Sequence, residues 1–415
     1  MAILRAFKAI RPQKEYASKI AALPYDVMNS EEARVMAKGN PYSFLHVDKA
    51  EIDLDENTHI YDKKVYEKAK ENLEKLIETG AMVQDKKPQL FIYRLIMNGR
   101  AQTGIVGCTA IDDYLNDVIK KHEHTREDKE KDRINHVDIC DAHTGPIFLT
   151  YRYNEDINTI INKWTKNEPL YEFVAEDGVE HIVWVIDDER TINNVRDIFG
   201  NIGSLYIADG HHRAASAVKV GLNRREQNPN YTGAEEFNYF LAVAFPDTDL
   251  RIMDYNRIVT DINEMTTEEY ITKVAERFEL RLFQEDKEYK PLNKHTYGMY
   301  VDGKWYELVA KKGTFNPNDP VDRLDVSILQ NNLLNPILGI ENPRTDKRID
   351  FVGGIRGLKE LEKRVEKNKK GVAFSMYPTT IKDLIDIGDA KKVMPPKSTW
   401  FEPKLRSGLF IHQLG

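Results

Sequence analysis

One stretch of this chain carries chemistry in the order of its residues. Leu205-Tyr206-Ile207-Ala208-Asp209-Gly210-His211-His212-Arg213-Ala214-Ala215-Ser216-Ala217 runs from a short apolar strand through Asp-Gly into a helix of small residues. A strand, a glycine turn and a helix N-terminus together bind phosphate well. The first-turn N–H groups lack partners inside the helix, and the positive end of the helix dipole faces the ligand. Gly210 permits the tight turn and a close backbone approach. Arg213 falls in the first turn, where a guanidinium can grip phosphate oxygens bidentately. Asp209 can cap the helix or hold a magnesium ion facing the phosphates. His211 and His212 can donate to phosphate or move protons. The plainer alternative makes Asp209 an N-cap, Gly210 a turn residue and His-His-Arg a solvated first turn. Zinc on the two histidines is disfavoured, because chelation on a helix prefers the i, i+4 spacing.

A second constellation spans Lys120–His136. Thr125 followed by Asp128 has the spacing of a capping box, and Arg126/Glu130 is a supportive i, i+4 pair on the helix that should follow. Glu123, between His122 and His124, stands just before that helix. A loop carboxylate there can serve as a general base. Arg126 and Arg133 are seven apart, so on one helix they would share a face and could clamp an anion; surface charge is the blander reading. Lys397-Ser398-Thr399 lacks the glycines of a P-loop, but Lys397 could still meet a phosphate. Pro24-Tyr25-Asp26 and Asn40-Pro41-Tyr42 are turn chemistry first, and each could also line a cleft. The HExxH, Walker, GxGxxG, GxSxG and protein-kinase motifs are absent.

The elements that must position these residues are those of a mixed fold. A helix is predicted over residues 58–80, ending at Gly80. Strands are predicted at Leu90–Ile96 and Gln102–Ala110 around Asn98-Gly99, and at Pro146–Tyr153, His181–Ile186, Ser204–Ala208 and Tyr239–Phe245. Helical patterns lie around Ile119–Asp138, Thr191–Ile198 and His212–Val220. Beyond residue 250 come a hairpin at Asp302-Gly303, helices near Val326–Leu334, Leu358–Asn368 and Thr380–Ile387, and an irregular Pro- and aromatic-rich tail. The expected class is α/β or α+β. The expected regions are 1–85, 86–250 and 251–415.

Composition narrows the function classes. The chain has 415 residues, 41% of them hydrophobic and 31% charged, with a net charge of −7. An acidic surface is a poor general binder of nucleic acid, whose affinity comes from cationic neutralisation of phosphates. No run approaches a membrane span, and the first residues carry no signal-peptide pattern. Two cysteines, Cys108 and Cys140, make neither a disulfide framework nor a zinc site and read as buried small hydrophobes. The cytoplasm is the expected compartment.

These motifs carry a resemblance. Leu23-Pro24-Tyr25-Asp26-Val27, Asn40-Pro41-Tyr42 with Phe44-Leu45-His46, His122-Glu123-x-Thr125, Lys129-Glu130 with Asp132-Arg133, Ile207–Arg213 and Met394-Pro395-Pro396-Lys397-Ser398-Thr399 resemble a bacterial and archaeal family, domain-of-unknown-function family 1015. The Asp-Gly-His-His-Arg segment is similar to the nucleotide-phosphate motif of the ParB/sulfiredoxin fold, and especially to free-serine kinases of that superfamily. The resemblance implies a ParB/sulfiredoxin-like mixed-sheet core with added α+β regions at both ends. It implies a magnesium-dependent kinase that moves a phosphoryl group from ATP or ADP to the hydroxyl of a free amino acid, L-serine first among them. Glu123, Asp209 and His211 would be catalytic. Gly210, His212, Arg213, Arg126 and Lys397 would bind the nucleotide, and Asp209 the metal. A homodimer is compatible with this reading. The alternative is a ParB-like nucleotide switch or binding module without kinase activity. A sulfiredoxin-like redox enzyme is disfavoured, since Gly210 and not cysteine precedes His211.

Overall fold

Asn98-Gly99 and Asp302-Gly303 reverse the chain where the sequence says they should. Their φ angles are 53°, 75°, 51° and 72°, the left-handed pair that two-residue hairpin turns require. The first turn joins strands Leu90–Met97 and Arg100–Ala110; the second joins Thr296–Val301 and Lys304–Ala310. The computed structural model describes residues 1–285, 287–368 and 370–415. It contains two compact units, with one of these hairpins in each. The first is 1–121, 125–250 and 403–415, and the second is 122–124 and 251–402.

The first unit is built on a mixed eight-stranded sheet. Its order is Ile119–Lys120, Leu205–Asp209, Ile147–Tyr151, Tyr239–Pro246, Arg100–Ala110, Leu90–Met97, Glu180–Ile186 and Tyr171–Val174. Leu205–Asp209 is antiparallel to Ile147–Tyr151, which is parallel to Tyr239–Pro246. The central strands are apolar on both faces: Ile105, Leu149, Ile207, Phe240 and Ala242 line one face and join one core, and Val106, Phe148, Leu241 and Val243 on the other face are buried as well, the pattern of strands covered on both sides. Strand and helix alternation thus gives the α+β class expected.

The expected region 1–85 supplies most of one buried cluster, with Ile20, Phe44, Leu45 and Val47 among its members. Helix Lys63–Glu78 follows an Asp62 N-cap, and Gly80 ends it with φ 75°. Its Val65, Leu73 and Leu76 share a cluster with Cys140, Ala142 and Ile411. Both this region and most of the expected region 86–250 lie in the first unit. The C-terminal tail returns to the same unit. Ile411 and Ile10 exchange backbone hydrogen bonds at 2.9 and 3.0 Å, Ala22 and Ser407 at 2.9 and 3.2 Å, and His412 pairs with His143.

The second unit is an antiparallel six-stranded sheet in the order Phe278–Leu282, Lys304–Ala310, Thr296–Val301, Val372–Met376, Tyr255–Val259, Ile349–Gly353. Ile258, Tyr300, Trp305 and Val352 from the sheet pack with Leu361 and Val365 of helix Lys359–Asn368. Among the described residues no helix is long and apolar enough to cross a membrane.

Candidate functional site

The predicted strand–glycine–helix junction is present. Strand Leu205–Asp209 is buried until Asp209, and helix His211–Gln227 follows at once. Gly210 occupies the N-cap position with φ 90° and ψ 33°. Asp209 is thus not the N-cap that the plainer reading made it. Gly210 is needed twice over. Its φ lies where a side chain is strained, and a Cβ there would stand 3.1 Å from the Arg213 guanidinium.

That contact shows where Arg213 goes. Its side chain folds back over Gly210, so Nη1 donates to the Pro146 carbonyl at 2.5 Å and Nη2 to Asp209 Oδ2 at 3.4 Å. Among the described residues its buried Nε has no hydrogen-bond partner. Lys404, from the returning tail, brings its Nζ to 3.8 Å from the same Asp209 oxygen and is only 9% exposed. Sequence reading missed this lysine. Nothing local marks it, because the tail meets the strand end only through tertiary packing.

His211 is buried and His212 half-buried. His212 Nε2 accepts from the Arg126 backbone N–H at 3.0 Å, so Arg126 does join the corner, but through its backbone. Its exposed guanidinium holds Asp128 instead, at 2.8 Å. The Arg126/Arg133 clamp is not formed. Helix Glu127–Cys140 begins one residue after Arg126, which is extended at φ −96°, ψ 132°, so helical spacing does not relate the two arginines. The Thr125–Asp128 box is likewise absent. Arg126 is the N-cap, and the Thr125 hydroxyl donates to Glu130 at 2.8 Å. The part of Ile119–Asp138 before residue 127 is not helical: Ile119–Lys120 is an edge strand.

The two remaining expected residues, Glu123 and Lys397, belong to the second unit. There the His122 carbonyl accepts from the Met394 N–H at 2.8 Å. The Lys397 ammonium lies 5.7 Å over the ring of Tyr255, and its carbonyl accepts from Arg257.

Asp209 does not fit the metal-ligand role expected of it. Its Oδ2 faces two cations, Arg213 and Lys404. Among the described residues no group of three His, Cys, Asp or Glu could hold a metal ion. What the corner can do is receive an anion: a helix N-terminus with its dipole, the half-buried Arg213 and the buried Lys404 converge there.

Behind Arg213 a narrow cleft opens between Pro24, Tyr25, Asp48, Arg133, Thr144 and Ser407. Pro24-Tyr25 therefore lines a cleft, as the sequence allowed. Burial raises the Tyr25 phenol and the Asp48 carboxyl above their ordinary ranges. It drives His136 and His143 well below theirs, so both are neutral imidazoles. Both cysteines are buried and free.

The family model described as protein of unknown function (DUF1015) matches residues 4–327. No functionally curated protein matches the chain. Among solved structures, a conserved hypothetical protein from Pyrococcus furiosus is similar with 13% identity and a TM-score of 0.36, over 74% of this chain and 94% of that one. A free serine kinase in complex with AMP has 13% identity and a TM-score of 0.37, over 74% and 91%. SbnI with a C-terminal truncation, from Staphylococcus aureus, has 10% identity and a TM-score of 0.38, over 72% and 82%.

Proposed function

The chain belongs to the DUF1015 family, and we propose that its first unit binds the phosphates of ATP or ADP at the Asp209–Arg213 corner and passes the terminal phosphoryl group to the hydroxyl of a free amino acid, L-serine first among them. The observation that carries this reading is the junction itself: a buried strand, a left-handed glycine and a helix N-terminus, with Arg213 and Lys404 converging on Asp209. Phosphoryl transfer asks little covalent work of a protein. It asks for alignment, charge neutralisation and a proton acceptor near the nucleophile. The helix N-terminus and the two cations supply the neutralisation. The acceptor hydroxyl forms a bond to the terminal phosphorus, the bond from that phosphorus to its bridging oxygen breaks, and the nucleotide leaves one phosphate shorter. Asp209 is the carboxylate to which this reading gives the hydroxyl proton.

The test incubates the purified full chain with L-serine and the magnesium salt of ATP or ADP, and looks for O-phosphoserine by mass spectrometry. Phosphoserine made at the expense of nucleotide supports the reading. If neither donor, nor pyrophosphate, phosphorylates any of L-serine, L-threonine, L-homoserine and L-tyrosine, the kinase reading is withdrawn.

A further inference from the structure

The cleft behind Arg213 holds two buried charges, Arg133 and Asp48, that attract one another through space but form no ion pair or hydrogen bond with each other. Arg133, on the inner face of helix Glu127–Cys140, is 9% exposed, and its Nε donates to Asp132 at 2.9 Å. Its guanidinium carbon lies 4.0 Å from the Tyr25 ring centre. Among the described residues no hydrogen bond reaches its two terminal nitrogens, and Asp132 is its one ion-pair partner. Asp48, 3% exposed, accepts from the Thr144 hydroxyl at 2.8 Å. Its one ion-pair partner among the described residues is His136, at 3.7 Å, and burial keeps that imidazole neutral.

A buried guanidinium with unused donors and a buried carboxylate that cations reach only through space are each costly. One ligand matches both at once: a dipolar ion with a carboxylate at one end and an ammonium at the other. A lone anion would be repelled by Asp48, and a lone cation by Arg133. The cleft also reaches Arg213 and Gly145, and Arg213 Nη2 sits 3.4 Å from Asp209.

We infer that this cleft recognises the head group of a free α-amino acid, with Arg133 gripping the carboxylate and Asp48 the ammonium. The inference rests on the proposed function and names the acceptor's binding groups. Arg133 and Asp48 are assigned here as binding residues.

Calorimetric titration of the intact, nucleotide-free chain tests it. The twenty free L-amino acids are titrated first. The best binder is then compared with its decarboxylated amine and its deaminated acid; for serine these are ethanolamine and 3-hydroxypropionate. The expected result is that either truncation weakens binding at least tenfold. Arg133→Met should lose the amino acid at least tenfold while ADP binds as before, and Asp48→Asn should narrow the gap between the amino acid and its deaminated acid. The inference is overturned if no amino acid binds, if the amine or the acid binds as well as the parent, or if inorganic phosphate binds more tightly than any of them. The ligand series uses the unaltered chain, so a variant that misfolds does not blunt the test. Amino-acid binding without phosphoryl transfer would refute the kinase reading alone. Equal phosphorylation of serine and ethanolamine would refute this inference alone.

Discussion

At the scale of single residues, the corner makes two separable demands on the chain. Gly210 is the N-cap at φ 90°. Gly210→Ala places a left-handed alanine there, at about 1–2 kcal/mol, and sets a Cβ 3.1 Å from the Arg213 guanidinium. Arg213 is a side chain that can shift, so the expected outcome is a folded protein, 1–2 kcal/mol less stable by urea unfolding, with nucleotide affinity reduced at least tenfold by calorimetry. Unchanged affinity would mean the corner does not hold phosphates. Asp209→Asn keeps size and removes charge. Because Gly210 and not Asp209 is the N-cap residue, stability should move by less than about 1 kcal/mol, while phosphoserine formation should fall at least a hundredfold. Retained turnover would hand the proton-accepting role to another group. The sequence displayed Asp209, Gly210 and Arg213 because strand, turn and helix start are one contiguous local signal. Lys404, Asp48 and Thr144 were invisible. Each reaches the site through pairings between distant segments, and none has a neighbour in sequence that marks it.

At the scale of elements, the returning tail is the piece on which the site most depends. Leu409, Phe410 and Ile411 are fully buried, and Phe410 packs against Phe91 and Tyr93 with ring centres 5.1 and 5.8 Å apart. Arg406 donates to Asp177 at 2.5 Å and to His181 at 3.2 Å. Phe410→Ala should cost about 3–5 kcal/mol, as large core truncations do, read from the urea midpoint at unchanged slope. A cost under 1 kcal/mol would mean the tail is not part of the core. The same fastening explains which elements could be read in advance. Asn98-Gly99 and Asp302-Gly303 announce hairpins within four residues, and Thr380 announces the helix Ile381–Asp389 by a capping box with Asp383. The tail was read as irregular, and strands Tyr255–Val259, Ile349–Gly353 and Val372–Met376 were passed over. Their partners lie far along the chain, and no tight turn joins them. A strand made by long-range pairing leaves only an apolar run in the sequence, and short apolar runs are ambiguous.

At the scale of the whole molecule, the buried groups shifted furthest, His181 in the first unit and Asp325 in the second, pull stability in opposite directions as pH changes. In the first unit His181 accepts from Arg406 at Nε2 and shares a hydrogen bond with the Tyr93 hydroxyl at Nδ1 in the core, and burial holds it at about 3 against an ordinary 6.5. A histidine depressed on folding contributes stability that is complete above 6.5 and is lost as pH falls, because the unfolded chain takes up a proton that the folded one refuses. At pH 5 that loss is about 2 kcal/mol for this one group. His136 and His143, also depressed by burial, act in the same direction. In the second unit burial raises Asp325 to about 7 from 3.8, although the His295 N–H donates to its carboxylate at 3.0 and 3.1 Å. A carboxyl raised on folding works the other way. Its contribution is complete below 3.8 and is lost as pH rises toward 7, since the folded unit must give up, or hold against solvent, a proton the unfolded chain has already released. Between pH 5 and 7 that group costs the second unit about 2–3 kcal/mol. Amide exchange in sub-denaturing urea, followed by peptide at pH 5 and pH 8 with intrinsic rates divided out, reads each unit separately. The buried histidines should make the first unit less protected at pH 5 than at pH 8. Asp325→Asn should raise protection of the second unit at pH 8 by about 2–4 kcal/mol and change it little at pH 4. A first unit whose protection is flat from pH 8 to pH 5 would show that its interior histidines are not held neutral, and with them would go the uncharged His136 beside Asp48 on which the amino-acid cleft depends.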